Sequence, residues 1–157
     1  MSSIRRACEK DIPRLLDLLR QVLTVHHDIR PDLFKANCTK YNDRELAALI
    51  ENPLRPVFIY EDDNNTVQGY AFCVIEQHPG NNILTDIKTL YLDDLCVDEN
   101  FRGQGVGRSL YEYVKSFAKE QGCHNLTLNV WEGNDDAIRF YRSLGLKPYK
   151  YGMETFL

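Results

Sequence analysis

The chain has 157 residues, 43% of them hydrophobic and 27% charged, with a formal net charge of −4. That length suits one domain, residues 1–157, and the composition is that of a globular protein rather than a disordered or fibrous one. The negative balance gives no overall attraction to phosphate chains, so no nucleic-acid partner is expected. No apolar run is long enough to span a bilayer, so no membrane partner is expected either.

In chain order, residues 4–7 read as a short strand, and Asp11 as the cap of a helix that tolerates Pro13 in its first turn. Leu15, Leu16, Leu18, Leu19, Val22 and Leu23 recur with helical spacing to about His26. Pro31 breaks that pattern, and His26, His27, Arg30 and Asp32 fall in the broken stretch without an assigned role. Asp43 is placed to cap a short helix that Pro53 ends. VFIYE and VQGYAFCVIEQ, separated by DDNN, read as a hairpin. Residues 89–97 form a third strand and 105–121 a helix with Leu110, Val114, Phe117 and Ala118 on one face, stopped by Gly122. A strand over 125–131, with Trp131 as core, and a helix over 134–144 stopped by Gly145 follow. The tail LKPYKYGMETFL reads as one or two closing strands. Helices, a hairpin and then β-α-β-α-β predict an α/β chain with a mixed sheet and helices on its faces.

Five cysteines, Cys8, Cys38, Cys73, Cys96 and Cys123, make an odd number with no C-x-x-C pair. Cys73 and Cys96 sit in apolar runs, where a reduced cysteine behaves as a small hydrophobe. They read as free thiols in a reducing, cytoplasmic compartment, and no Cys/His spacing predicts a metal site. The N-terminus lacks the apolar stretch of a signal peptide.

The segment LDDLCVDENFRGQGVG, residues 92–107, carries the chemistry. A glycine loop at a strand-to-helix junction offers unpaired N–H groups and the positive end of a helix dipole, a phosphate cradle. Arg102 and Arg108 add charge at its rim. Counted from Gly103, the dinucleotide pattern G-x-G-x-x-G and the Walker pattern both fail at Arg108. The loop alone leaves a glycine-rich turn without a ligand as the alternative.

Arg102-Gly103-Gln104-Gly105-Val106-Gly107, after a strand ending in Leu95-Cys96-Val97, resembles motif A of the GNAT superfamily of N-acetyltransferases. Downstream, Asn134, Ala137, Phe140, Tyr141, Gly145 and Leu146 fit N-x-x-A-x-x-F-Y-x-x-x-G-(F/L), which resembles motif B of that family. The resemblance implies a GNAT-like fold, with a mostly antiparallel central sheet flanked by helices, and acetyl-CoA as co-substrate. It implies that the N–H groups of Gln104, Gly105, Val106, Gly107 and Arg108, entered through Arg102 and Gly103, hold the pyrophosphate. Leu95, Cys96 and Val97 would pair with the pantetheine arm through their backbone, where an N–H polarises the acetyl carbonyl. Asn134, with Ala137 a turn further on, would meet the cofactor from the other side of the cleft, and Tyr141 would protonate the leaving thiolate.

An alkylammonium has a pKa near 10.4, so acetyl transfer to an amine near neutral pH needs a group that removes a proton. In a regular strand Tyr91, Asp93, Leu95 and Val97 share one face and Leu90, Leu92, Asp94 and Cys96 the other, so the two acids would point apart. YLDDLCV resembles the YLEDxxV segment of polyamine acetyltransferases, which implies that Asp93 binds the amine or removes its proton, directly or through water. Asp94 is read as structural. The acids suit a cationic acceptor, a small molecule first and a peptide amine second. A non-catalytic acyl-CoA sensor and a scaffold without cofactor stand as rivals. The resemblance also implies a homodimer built by exchange of C-terminal strands.

Overall fold

A computed structural model describes residues 2–157. Strand β1 (Ser3–Arg6) leads through a short 3-10 turn into helix α1 (Ile12–Ile29), and α2 (Asp43–Glu51) follows. Strands β2 (Val57–Glu61), β3 (Val67–Glu76) and β4 (Thr89–Val97) run antiparallel in succession. Helix α3 (Val106–Glu120) crosses over to β5 (Asn125–Thr127), which is parallel to β4, and α4 (Asp135–Ser143) closes the described elements. The five strands lie in chain order, β1 to β5, in one mixed sheet. This is the α/β architecture that the order of patterns predicts.

The two faces of the sheet are covered by different helices. The period of α1 puts Leu15, Leu18 and Leu19 against Ile59, Tyr70, Phe72 and Cys96, with Leu46 of α2. On the other face Leu110, Val114 and Ala118 of α3 meet Phe58, Ala71, Cys73, Leu90 and Leu92. Each such fully buried aliphatic side chain is worth about 1.5–3 kcal/mol of transfer free energy. Among the described residues no helix is long and apolar enough to cross a membrane.

Several expectations need correction. Asp11 stands at the N-cap of α1, as expected, but its side chain makes no bond to the helix: the carboxylate turns back to the Arg5 guanidinium (2.8 Å) and the Cys8 N–H (2.8 Å). Helix α1 runs to Ile29, so His26 and His27 belong to its last turn, and the irregular stretch starts at Arg30. Asn42, not Asp43, caps α2, accepting from the Glu45 N–H while Glu45 reaches back to Asn42. Strand β5 ends at Thr127, short of the expected Trp131, and residues 147–157 form no strand. Trp131 is 36% exposed rather than core.

The alternation expected along β4 also fails, at one residue. Phe72 of β3 faces Asp94 and Cys73 faces Leu92, so Asp93 is the extra residue of a β-bulge. Before it, Leu90 and Leu92 face α3. After it, Leu95 and Val97 face α3 while Cys96 faces α1. Asp93 and Asp94 therefore do not point apart. Both lie close to Lys40, on the connection between α1 and α2.

Candidate active site

Strand β4 pairs with β5 only from Thr89 to Tyr91. From Leu92 to Val97 that edge of β4 has no strand neighbour among the described residues. The sheet opens where the bulge lies, and the opening leads to the glycine loop.

The loop is built by local rules. Asp98, 2% exposed, accepts from the Asn100 N–H (2.8 Å) and from Arg14 (2.5 Å), which ties the loop entry to α1. Burial alone would raise the Asp98 carboxyl, but the Asn100 amide and Arg14 hold it below the ordinary carboxylate value. Gly105 caps α3 at φ +83°, a left-handed conformation that glycine adopts without strain. A Cβ at Gly105 would meet open space, whereas one at Gly107 would lie 3.2 Å from Phe140 of α4. The cradle is thus open at its tip and packed at its base.

Among the described residues, the N–H groups of Gln104, Gly105, Val106, Gly107 and Arg108 have no acceptor in the protein. They sit at the start of a 15-residue helix, where an anion is favoured. Arg102 and Arg108 are exposed at the rim. The side chain of Val106 is core, so only its backbone faces outward. These residues fit a pyrophosphate. Among the described residues no cluster of three or more His, Cys, Asp or Glu side chains is placed to hold a metal ion.

The acid pair stands at the other end of the opening. Lys40 Nζ lies 2.7 Å from Asp93 Oδ2, and the Tyr70 hydroxyl donates to Asp94 Oδ2 at 2.7 Å. Burial pushes the Asp94 carboxyl up to about 6 against the opposing pull of Tyr70 and Lys40. Burial and the negative charge of Asp94 push the Tyr70 phenol well above its ordinary value. Burial alone would lower the Lys40 ammonium, but the hydrogen bond to Asp93 and the charges of both acids carry it upward.

Tyr141 projects from α4 into the α3-side cluster beside Phe140, with ring centroids 5.1 Å apart. Burial, then the charge of Asp94, raises its phenol. Among the described residues nothing accepts from its hydroxyl. Asn134 caps α4, and its Oδ1 accepts from the Ala137 N–H at 3.3 Å, so both motif residues serve the helix start. Near the acids, His26 packs on Phe34 (5.1 Å) and Phe34 meets Trp131 edge-on (5.5 Å). Burial and nearby Lys40 lower the His26 imidazole, which favours its neutral form.

The structure thus brings Asp93 and Asp94 together with Lys40 and Tyr70, while Tyr141 lies in the α3-side cluster. Lys40 and Tyr70 carry no mark in the sequence: one lies in an irregular connection and the other in an ordinary apolar strand.

Comparison with known families matches residues 22–146 to the acetyltransferase (GNAT) family, and the chain belongs to that family. It is an acetyltransferase enzyme of a family whose members use acetyl-CoA. It is 26% identical over 149 residues to the peptidyl-lysine N-acetyltransferase YjaB of Salmonella typhimurium, covering 94% of this chain and 84% of that one. A shorter match, 36% over 58 residues, relates 37% of this chain to 34% of the thialysine N-epsilon-acetyltransferase of Bos taurus. The crystallised tetramutant of the BH1408 protein of Bacillus halodurans superposes with a TM-score of 0.94 at 32% identity, over 99% of both chains.

Proposed function

We propose that this chain moves the acetyl group of acetyl-CoA directly onto the primary amine of a small cationic molecule. The observation that carries this is the unpaired edge of β4 from Leu92 to Val97, lying between the glycine cradle and the acid pair. An extended thioester arm laid along that edge would put its reactive end at the bulge.

Acetyl-CoA, when bound, supplies the activated acyl group. The N–H groups of Gln104 to Arg108, with Arg102, hold its pyrophosphate, and the backbone of Leu95, Cys96 and Val97 takes the pantetheine arm, one N–H facing the acetyl carbonyl. Asn134 and Ala137 set the start of α4 and so the approach of Tyr141. Asp93 binds the incoming ammonium. Asp94, ionised at neutral pH and anchored by Tyr70, receives its proton with Asp93, directly or through a water. Tyr141, kept protonated by its burial, gives its proton to the leaving sulfur.

A peptide lysine is the second reading of the acceptor, favoured by the match to a peptidyl-lysine acetyltransferase over most of both chains. Calorimetry with acetyl-CoA, ATP and NAD, followed by thiol-release assays on small amines and lysine peptides, tests both. Binding of acetyl-CoA with turnover on small diamines supports the first reading, turnover on peptides alone supports the second, and no CoA binding refutes both.

The homodimer belongs to the same reading. Residues 147–157 pair with no strand, held to the rest of the chain by Glu154 on Arg30, and Tyr149, Tyr151, Met153 and Phe156 are exposed, which suits strand exchange with a second copy. Sedimentation showing only monomer at micromolar concentration refutes it.

A further inference from the structure

We propose that Lys40 is an acetylation site of the protein's own activity, its Nζ taking the acetyl group of acetyl-CoA when no other amine fills the acceptor position. The inference rests on the acetyl-transfer reading above.

Lys40 is a lysine held where the acceptor amine belongs. Its Nζ is 2.7 Å from Asp93 Oδ2 and within the field of Asp94. The position is built rather than incidental. The Tyr41 ring lies 5.5 Å from Nζ and stacks on Phe72 at 6.0 Å. Phe72 in turn faces Asp94 across the bulge. An aromatic stack anchored in the sheet thus carries the lysine to the acid pair.

The chemistry matches as well. Peptidyl-lysine and thialysine, the acceptors named for two relatives, both present an aminoalkyl chain. Lys40 presents the same group from within. The Lys40 side chain is 41% exposed and that of Asp93 21%, so water reaches the ion pair and weakens it, and Nζ can leave Asp93.

The step balances. Nζ, an ammonium in its ion pair with Asp93, gives one proton to the acid pair, which releases it to solvent; its lone pair forms the bond to the acetyl carbon, the carbon–sulfur bond breaks, the sulfur takes the Tyr141 proton, and the nitrogen loses its second proton to solvent as the amide forms. Tyr141 regains a proton from solvent. The products are N-acetyllysine at position 40 and free CoA. The acetylated side chain has lost its charge, so Asp93 is left without its internal cation and the site becomes more attractive to a cationic acceptor.

The test is intact-mass analysis and peptide mapping of the full chain incubated with acetyl-CoA and no added amine. One acetyl group is expected on Lys40, at least tenfold ahead of the exposed Lys10 and Lys119. Its rate is expected to be independent of protein concentration, as for transfer within one chain, and to fall when a turned-over amine is added. Lys40→Arg is expected to lose that acetyl group while still binding CoA by calorimetry. Equal labelling of Lys10, Lys40 and Lys119 overturns the proposal. So does an unmodified Lys40 in a preparation that acetylates a free amine, and there the acetyl-transfer reading stands. If neither Lys40 nor any amine is acetylated, both fall.

Discussion

The Tyr70 hydroxyl donates a 2.7 Å hydrogen bond to Asp94 Oδ2, and Tyr70 is fully buried on β3, beside the strand that carries the bulge. The bond fixes one carboxylate oxygen and leaves the rest of Asp94 toward Lys40 and the opening. It does not offset the loss of solvent, because the carboxyl still rises to about 6. The Asp94 carboxylate is therefore held at a cost to the fold.

That cost has a definite sign. A carboxyl raised on folding binds its proton more tightly in the native chain, so its stabilising share is complete below about pH 4 and lost as pH rises through about 6. At pH 7 the ionised Asp94 destabilises. Asp94→Asn, whose Oδ1 still accepts from Tyr70, is expected to gain on the order of 1–2 kcal/mol at pH 7 after allowance for its partial exposure. Melting curves check this: the gap to the wild type should shrink on going from pH 7 to pH 4. The same variant is expected to lose turnover by roughly 10²-fold, and the wild-type kcat/KM to fall on the acid side of about pH 6. A variant neither stabilised nor slowed would remove Asp94 from both roles.

Tyr141→Phe separates chemistry from packing. The ring contact with Phe140 survives the change, and among the described residues nothing else depends on the hydroxyl. Turnover is expected to drop about 10²-fold with the Kd for acetyl-CoA and the melting temperature unchanged. Single-turnover kinetics with calorimetry give both numbers. An unchanged chemical step would make Tyr141 a core aromatic.

Strands β2 and β4 are legible in the sequence to the residue, because burial and β-branched or aromatic content change sharply at their ends. The helix faces are legible too, since Leu110, Val114 and Ala118 keep one period along one core. The bulge at Asp93 is not. A strand's own sequence shows a period of two, and only the register against Phe72 and Cys73 reveals the extra residue. The shortness of β5 is hidden for the same reason: LTLNVW has strand composition, but beyond Thr127 no partner lies beside it. The tail reads as strands because its aromatics suit them, yet among the described residues no strand pairs with it. In the site, the glycine loop is local and was readable. Lys40 reaches Asp93 across 53 positions, a contact no window of sequence contains.

Gly105→Val tests the cradle. Position 105 has φ +83°, where a β-branched residue is strained, and its Cβ would project into the open tip. Acetyl-CoA affinity is expected to fall by more than tenfold, with α3 still formed because Leu110, Val114 and Ala118 hold it to the sheet. Calorimetry reads the first effect and circular dichroism the second. Unimpaired acetyl-CoA binding would move the pyrophosphate away from this loop.

Acid stability depends on a different pair of carboxylates. Asp98 and Asp11 are buried at 2% and 5% exposure, each hydrogen-bonded to an arginine and a backbone N–H. Burial alone would raise both, but those partners hold them below the ordinary carboxylate value. A depressed carboxyl binds its proton less tightly when folded, so its contribution is present above about pH 4 and lost as pH falls through the lowered value. Asp98→Ala strips Arg14 and the Asn100 N–H of their acceptor and loosens the entry to the glycine loop. It is expected to cost roughly 1–3 kcal/mol at pH 7. Urea unfolding at a series of pH values checks this: the difference from the wild type should persist from pH 7 to about pH 4 and close toward pH 2. A gap that stayed constant down to pH 2 would mean that Asp98 acts through packing rather than through its charge.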